Sequence, residues 1–275
     1  MLVDFGTVAT AYAQGRPTYP SELFQWLASI APENTLAVDC ACGCGEATVG
    51  IAPYFQKVIA MDASEKMLAM AFPIQNAEYR VAAAERTGLS DRCVDLITVA
   101  MAVHWFDQPA FGKEALRILK PGGVLCVWSY GEPFTDDPDI NLVLRQHAEA
   151  IYHCGPPNLR HVRDGYSNLT VFSEDYTCID AHRFTMKATR SLEQFITYNR
   201  TRSSVRAFSV AHGLNLADYL AQELEHLWRG AARDVYWPMA LKAGRKAIPC
   251  PELDGRVHPA IAPQSVRQPS PLALV

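Results

Sequence analysis

The chain has 275 residues, enough for one large domain with an appended lid or for two small domains. Hydrophobic residues make up 49% of it and charged residues 20%, and these globular values argue against disorder and against a fibrous repeat. The formal net charge of −4 offers no basic surface for a polyanion, so we expect no nucleic-acid partner.

Targeting and membrane signals are not evident in the sequence. Residues 1–20 lack a basic stretch followed by an apolar one, and no uncharged apolar run is long enough to span a bilayer. The eight cysteines are neither dense nor regularly spaced, a pattern typical of reduced, buried thiols. We therefore expect a cytoplasmic protein with no membrane partner, either a monomer or a homo-oligomer.

Residues 36–130 alternate between short apolar runs and helical patterns. The apolar runs predict five strands: "LAVDC" (36–40), "KVIAMD" (57–62), "AEYRVA" (77–82), "VDLITVAM" (94–101) and "GGVLCVWSY" (122–130). Helix-period residues lie at 46–55, 64–71 and 109–120, with Ser64 placed as an N-cap and "KPGG" (120–123) as a stop. Because parallel strands that are apolar throughout are covered on both faces, the pattern predicts a doubly wound α/β fold.

After residue 131 this alternation breaks. The sequence predicts a strand-like stretch at 179–188, an antiparallel strand near a sheet edge at 234–244, and helices at 139–154, 191–200, 203–212 and 216–230. The late strands complete a mostly parallel sheet of seven strands, with a helical lid inserted before the last of them. We place the core at 1–131 and 232–248, the lid with one or two core strands at 132–231, and a proline-rich, disordered tail at 249–275.

The segment "DCACGCG", which follows the first predicted strand, has three interpretations. A structural zinc site usually takes two C-x₂₋₄-C clusters, whereas Cys40, Cys42 and Cys44 alternate in one segment and no second Cys/His cluster occurs in the sequence. A redox centre would need C-x-x-C in place of C-x-C. The remaining interpretation is a strand-to-helix turn in which two glycines permit a tight backbone and cysteine is small enough for a ligand to approach. We therefore predict a cofactor turn and no metal.

Two kinds of cofactor use such a turn. A dinucleotide site has the pattern G-x-G-x-x-G, but "GCGEAT" (43–48) ends in Thr48 where the third glycine would stand. Asp62 lies 23 residues after Asp39, at the end of the next strand, and suits the ribose of either cofactor. Asp39 would repel a pyrophosphate and suits a ligand with an ammonium or sulfonium group. The residues alone thus favour a cationic cofactor.

The segments "VDCACGCGEAT", "VIAMDASEKML", "AAAERTGLSDRCVDLITVAMAVHWFD" and "EALRILKPGGVLCVW" occur in an order that resembles the class I S-adenosylmethionine (SAM)-dependent methyltransferases. Within that class the sequence is similar to the group with a type 11 methyltransferase domain, which includes trans-aconitate methyltransferase-like proteins. The resemblance covers residues 1–130, with "YAQGRPTYP" (12–20) and "YWPMALKAGRK" (236–246) also similar, while the lid matches only loosely. It implies a Rossmann-like fold, SAM as cofactor and methyl transfer as the activity.

The resemblance assigns parts of the cofactor to particular residues. It implies that Asp39, Ala41 and Gly43 line the methionine part and that Asp62 binds the ribose. Ala41 stands where many relatives have the first glycine of the turn, and we expect it to keep a negative φ. Asp62 could instead cap the next helix, but Ser64 is better placed as the cap, so the ribose role is favoured.

Other residues are implied to surround the adenine. Ala63 and Met67 would flank it, and Ala84 and Glu85 would meet its edge through a backbone N–H and a carboxylate. Met67 is equally plausible in the core, and Glu85 taken alone is typical of a solvated surface acid. The resemblance adds five further cofactor contacts, three of them in a segment that folds over the cofactor in similar proteins: Tyr12, Arg16, Tyr19, Gly45 and Ala100.

His104 and Trp105 follow a predicted strand, where open α/β sheets place their ligands. His104 is either a structural histidine or a catalytic residue, acting as general base or orienting the substrate, and Trp105 is a candidate for substrate contact. Arginine forks bind carboxylates. The lid offers substrate-binding candidates of this type, although most are expected to be solvated: Arg160, Arg163, Arg202 and Arg206, besides Arg200.

We therefore predict a SAM-dependent methyltransferase that acts on a small-molecule acceptor by in-line displacement, in which positioning and dehydration are the protein's main tasks. A carboxylate acceptor would need no base, whereas a phenol, alcohol or amine would benefit from one such as His104. Two alternatives remain open. One is a C- or N-methyltransferase of specialised metabolism, and the other is a SAM- or nucleotide-binding module without catalysis.

Overall fold

The computed structural model describes residues 16–152, 157–230 and 232–248, so the predicted tail (249–275) and the candidate Tyr12 lie outside the described residues. The strands are β1 (Leu36–Cys40), β2 (Lys57–Asp62), β3 (Ala77–Val81), β4 (Val94–Ala100), β5 (Leu119–Tyr130), β6 (Tyr176–Ile179), β7 (Thr185–Arg190) and β8 (Arg233–Lys246). Seven of them follow the order β3-β2-β1-β4-β5-β8-β6 across one sheet, and β7 pairs with β8 beside this path. The predicted fold class is confirmed.

A helix precedes each of the first five strands except β4, and the later helices lie on either side of β6 and β7. They are α1 (Ser21–Ile30), α2 (Glu46–Ile51), α3 (Glu65–Leu68), α4 (Gln108–Ile118), α5 (Pro138–Ile151), α6 (Arg160–Arg163), α7 (Leu192–Thr201), α8 (Ser203–His212) and α9 (Leu216–Trp228). The predicted cap of α3 is confirmed, because the Ser64 hydroxyl accepts a hydrogen bond from the N–H of Met67 (3.4 Å). α2 is shorter than the predicted helix at 46–55, because a 3-10 turn that contains a proline replaces its last part at Ala52–Tyr54.

Strands β1 to β5 pair in parallel, and β1, β2, β4 and β5 are mostly buried, whereas β3 at the edge of the sheet is half-buried. Successive residues of a strand point to opposite sides, so Ala37 joins one hydrophobic cluster and Val38 the other. α1 and α2 contribute to the first cluster through residues such as Leu23, and α4 contributes to the second through Phe111. This two-sided cover explains the apolar sequences of β1, β2, β4 and β5, whereas β3 carries the paired charges of Glu78 and Arg80.

β8 is antiparallel and unusually long, and its two halves have different partners. Residues Met239–Arg245 pair with β5, and Ala243–Lys246 also pair with β6, whereas Arg233–Pro238 pair with β7. The prediction of one strand at 179–188 is therefore wrong. The predicted stretch is instead divided between β6 and β7, which are separated by residues 180–184. The two strands are separate because each pairs with a different half of β8.

Five helices, α5 to α9, lie in the chain between β5 and β8. Phe195 of α7 stacks on Trp228 of α9 (ring centres 5.2 Å apart), and Tyr198 meets Trp237 of β8 edge-on (5.4 Å). The inserted helices thus share a hydrophobic cluster with the sheet. The division of the chain into core and lid stays a prediction. None of the helices in the described parts of the chain is long and apolar enough to cross a membrane.

Candidate active site

The chain turns sharply after β1, in the predicted cofactor turn. Cys42 donates its N–H to the Met61 carbonyl of β2 (2.9 Å), and Gly45 donates to the Cys42 carbonyl (2.9 Å). Gly43 and Gly45 have φ values of +59° and +91°. These bonds hold the turn at the carboxyl ends of β1 and β2, the edge at which open α/β sheets bind ligands.

Ala41 does not have the expected negative φ, since its φ is +53°. β1 ends at Cys40, and the N–H of Cys42 is already bonded to β2, so the residue between them reverses the chain in the left-handed region. That conformation costs a residue with a side chain about 1–2 kcal/mol. The turn is therefore strained at the position where many relatives have glycine.

Side chains pack closely around the two glycines of the turn. A Cβ on Gly45 would lie 2.6 Å from the Tyr79 hydroxyl oxygen, and a Cβ on Gly43 would lie 3.4 Å from the Cε of Met67. Met67 is buried and clusters with Cys44. Gly45 is thus required by space as well as by its φ. The contact of Met67 with an adenine stays a prediction.

Three cysteines of this turn, Cys40, Cys42 and Cys44, are buried free thiols. Burial raises the pKa of all three, to about 11 for Cys44. They are protonated at neutral pH and act here as small side chains that fill the space behind the turn.

Asp62 ends β2 and faces the turn. Its carboxylate accepts hydrogen bonds from the N–H groups of Gly43 (2.9 Å) and Ser64 (2.8 Å), so it joins the turn to the start of α3. The residue is half-buried, and its carboxylate retains lone pairs beyond these two bonds. This geometry suits the predicted ribose contact.

Asp39 is fully buried at the end of β1. One carboxylate oxygen accepts from the Thr48 hydroxyl of α2 (2.6 Å) and the other from the Thr98 hydroxyl of β4 (3.0 Å). Burial raises the pKa of Asp39 to about 7, against the two hydrogen bonds, which lower it. The carboxyl therefore ties α2 to β1 and β4, and its contact with a cofactor stays a prediction.

Glu46, the first residue of α2, was not among the predicted site residues. Its Oε1 atom is buried, and no described residue gives it a hydrogen bond. Burial raises the pKa of this carboxyl. In the sequence, Glu46 is an acid directly after the second glycine of the turn. The helical pattern identified this position only as the start of a helix.

The candidates for the adenine lie near the ends of β2, β3 and β4. Ala63 is exposed and Ala84 is buried, while Ala100, predicted as a cofactor contact without an assigned part of the cofactor, is half-buried at the end of β4. Glu85 is half-buried and is not simply solvated, because its Oε1 accepts a hydrogen bond from the N–H of Asp107 (3.0 Å), the cap of α4. Their contacts with a cofactor stay predictions.

A cavity of about 360 Å³ lies beside the carboxyl ends of β4 and β5. Its wall includes Met101 directly after β4, Tyr130 at the end of β5, Tyr198 and Arg202 from α7 and its end, and Arg16 from the segment before α1. The cavity therefore lies between the strand ends and the inserted helices, close to where α/β sheets place ligands.

Arg16 links three parts of the chain at this cavity. Its guanidinium donates a hydrogen bond to the Tyr130 hydroxyl and lies 5.5 Å from the ring centre of Tyr198. Tyr19, by contrast, packs edge-on against Trp128 of the core (5.5 Å). Tyr130 was not among the predicted residues, although its place at a strand end was a signal that could have found it.

Two arginines of the predicted lid, Arg163 and Arg202, line the cavity. Arg202 forms an ion pair with Glu132, and the guanidinium of Arg163 lies 3.3 Å from the ring centre of Tyr152. Each guanidinium is thus positioned by a neighbour at the cavity wall.

The other lid arginines are placed differently. Arg160 and Arg206 are not among the described residues that line the cavity. Arg200 is exposed and pairs with Asp218 of α9 (2.7 Å). Of the five predicted lid arginines, the structure therefore places Arg163 and Arg202 at the cavity.

His104 lies in a 3-10 turn after β4 and is buried. Its Nδ1 atom is 3.0 Å from the Tyr166 hydroxyl oxygen, and its backbone carbonyl accepts from the side-chain amide of Asn158 (3.0 Å). Burial lowers the pKa of His104 to about 3, so the ring is neutral at pH 7. His104 and the exposed Trp105 are not among the described residues that line the cavity, and their roles stay predictions.

Comparison with known proteins gives matches over most of the chain. A family model described as a methyltransferase domain matches residues 38–127. A protein of Dictyostelium discoideum assigned as a methyltransferase is 36% identical over 208 residues, which cover 74% of this chain and 78% of the relative. An uncharacterized methyltransferase of Mycobacterium tuberculosis is 32% identical over 185 residues, covering 66% of this chain and 70% of the relative. A solved structure from Anaeromyxobacter dehalogenans, assigned as a type II methyltransferase, is 34% identical and superposes with a TM-score of 0.77, covering 84% of this chain and 97% of the other.

Proposed function

The chain belongs to the class I SAM-dependent methyltransferases, and from that premise we propose that it transfers the methyl group of SAM to the carboxylate of a small molecule. The observation that carries the proposal is the cavity at the ends of β4 and β5, because three arginines, Arg16, Arg163 and Arg202, stand in its wall against two acids, Glu132 and Glu149. A volume of about 360 Å³ suits a small metabolite. The resemblance to the trans-aconitate group agrees with such an acceptor and stays a prediction.

The cofactor turn fits SAM. Burial, and after it the charges of Glu46 and Asp62, raise the pKa of Asp39, so the turn lies in a region of negative potential that favours a cationic ligand over a pyrophosphate. Asp62 would hold the ribose, and the turn at 41–45 would hold the methionine part. When bound, SAM supplies a methyl group on a sulfonium, from which a neutral thioether leaves.

Tyr130 is suited to orient the acceptor. Its hydroxyl oxygen accepts a hydrogen bond from Arg16, and no described residue accepts the Tyr130 O–H. The hydroxyl proton can therefore be donated to an oxygen of a substrate in the cavity. Arg16 and Tyr130 together offer two donors to one carboxylate, a charge-assisted arrangement that a neutral acceptor would match less well.

A carboxylate acceptor makes few chemical demands on the protein. It is ionised at neutral pH, so no base has to remove a proton before the methyl group is attacked. Tyr130 and Tyr198 are 6% and 2% exposed, so the part of the wall next to the sheet is buried, whereas Tyr152 and Arg163 on the opposite part are exposed. The task of the chain is then to align the two reactants, which can supply several kcal/mol of the barrier reduction.

The acceptor class is tested by the chemical stability of the product. The protein is incubated with methyl-labelled SAM and fractions of a metabolite extract, and each labelled product is then treated with mild alkali. A methyl ester is hydrolysed and releases the label as methanol, which is the result that we expect. A label that survives alkali would mark an ether, N-methyl or C-methyl product, and the alternative of specialised metabolism would replace the carboxylate proposal.

A further inference from the structure

Glu46 holds a buried carboxylate oxygen in the cofactor turn that no described group satisfies. We propose that this carboxylate binds the α-ammonium group in the methionine part of SAM. The inference depends on the cofactor and not on the methyl acceptor, so it stands apart from the carboxylate proposal.

The two neighbouring acids of the turn are already engaged. Both oxygens of Asp39 accept from threonine hydroxyls, and both oxygens of Asp62 accept from backbone N–H groups. Oε1 of Glu46 differs from all four of these oxygens in being buried without a partner among the described residues. A buried acceptor of this kind costs about 1–3 kcal/mol until a donor reaches it.

The position of Glu46 places its carboxylate over the turn. Its Oε2 lies 3.8 Å from the point where a Cβ on Gly43 would stand. Arg16, which lines the cavity, is among the groups whose charge acts on Glu46, and Asp62 is another. The carboxylate is therefore close to the turn that the methionine part would meet and under the influence of the cavity wall.

Three groups of SAM could lie near Glu46: the sulfonium, a ribose hydroxyl and the α-ammonium. The sulfonium carries a positive charge but has no N–H or O–H to donate, whereas the α-ammonium has both charge and donors. A ribose hydroxyl can donate a hydrogen bond but adds no positive charge to that of Arg16. The backbone N–H groups of Glu46 and Cys44 and the charge of Arg16 partly offset the burial that raises the pKa of Glu46. The ammonium offers both a donor for the unpartnered Oε1 and a further positive charge, which neither of the other two groups of the cofactor does.

The test compares three ligands by calorimetry on wild-type protein and on Glu46→Gln. SAM has the ammonium and the sulfonium, S-adenosylhomocysteine keeps the ammonium without the sulfonium, and 5′-methylthioadenosine lacks the amino-acid part. We expect Glu46→Gln to weaken SAM and S-adenosylhomocysteine alike, by roughly 10- to 100-fold, and to leave methylthioadenosine unchanged. Glu65→Gln is the matched control, because Glu65 also begins a helix beside the site but is exposed, and it should leave all three affinities unchanged.

Three other results would overturn the proposal. A larger loss for SAM than for S-adenosylhomocysteine would place Glu46 at the sulfonium. An equal loss for all three ligands would mean that Glu46 only shapes the turn, and no loss would mean that it does not touch the cofactor.

A second measurement does not depend on a variant that folds well. Pairing with an ammonium should lower the raised pKa of Glu46, so wild-type protein should release protons when it binds S-adenosylhomocysteine at pH values between the free and bound pKa. Calorimetry in two buffers of different ionisation enthalpy measures this release. Proton release of equal size with methylthioadenosine, or none with either ligand, would contradict the ammonium contact.

Discussion

Asp39 is a buried acid whose surroundings favour its protonated form. Between its ordinary pKa of 3.8 and its native pKa of about 7, the native protein holds more protons at this site than the unfolded chain. The contribution of Asp39 to stability is therefore fully present below pH 3.8 and is lost as the pH rises through about 7. The loss approaches about 1.4 kcal/mol per pH unit for one proton.

Asp39→Asn should remove this dependence, because an amide cannot ionise and still bonds to the hydroxyls of Thr48 and Thr98. The measurement is the free energy of unfolding by denaturant at a series of pH values. We expect the free energy of unfolding of the variant to increase relative to that of the wild type as the pH rises from about 4 to 7. Asp136→Asn, at an exposed acid outside the turn, is the matched control. If the Asp39→Asn and wild-type curves ran parallel, the account of Asp39 would be wrong.

Ala41 is strained by its φ of +53°. Ala41→Gly should raise the free energy of unfolding by about 0.5–1 kcal/mol, because the relief of the left-handed conformation exceeds the extra entropy of glycine in the unfolded chain. Ala69→Gly is the control, because Ala69 is an exposed alanine with an ordinary helical φ of −62°. This variant should lower the free energy of unfolding. Equal losses in the two variants would show that Ala41 is not strained.

Among the helices and strands, the sequence predicted correctly those whose bounds depend on neighbouring residues in the chain. β1 and β2 have the predicted bounds because both are short apolar runs ended by turns. β6 and β7 were missed as separate strands, since their separation depends on the length of β8, which lies more than forty residues further along the chain. "KPGG" was taken as a helix stop, and the structure adds that it lies within β5, next to a register shift against β4.

The inserted helices carry the second set of predicted residues, and only some of these reach the cavity. A lysine provides a point charge where an arginine provides a planar fork. Arg163→Lys and Arg202→Lys should therefore lower kcat/KM for the acceptor by roughly 10- to 100-fold, nearly as much as alanine, without changing the KM for SAM. Arg200→Lys, on the exposed side of α7, should keep full activity. Full activity of both cavity variants in steady-state kinetics would remove the arginines from substrate binding.

At the scale of the whole molecule, the cavity joins segments that are far apart in the sequence. Its wall takes Arg16 from before α1, Tyr130 from the end of β5 and Arg202 from the end of α7. A motif such as "DCACGCG" reveals a turn because its residues are adjacent, and Asp62 could be predicted because strand ends meet at one edge of a parallel sheet. The signals for Glu46 and Tyr130 in the sequence were weak, namely a place after a glycine turn and a place at a strand end. Their importance depends on tertiary contacts, namely an unpartnered oxygen of Glu46 and the hydrogen bond from Arg16 to Tyr130.

We expect SAM to bind at the carboxyl ends of the strands, around Gly43 and Asp62. The most direct measurement is a calorimetric titration of wild-type protein and Asp62→Ala with S-adenosylhomocysteine and, in parallel, with a nicotinamide dinucleotide. We expect S-adenosylhomocysteine to bind the wild type and to lose about 1.5–3 kcal/mol in the variant, the range for hydrogen bonds to a charged group, while the dinucleotide binds neither. Tighter binding of the dinucleotide, or an affinity for S-adenosylhomocysteine that Asp62→Ala leaves unchanged, would contradict the account.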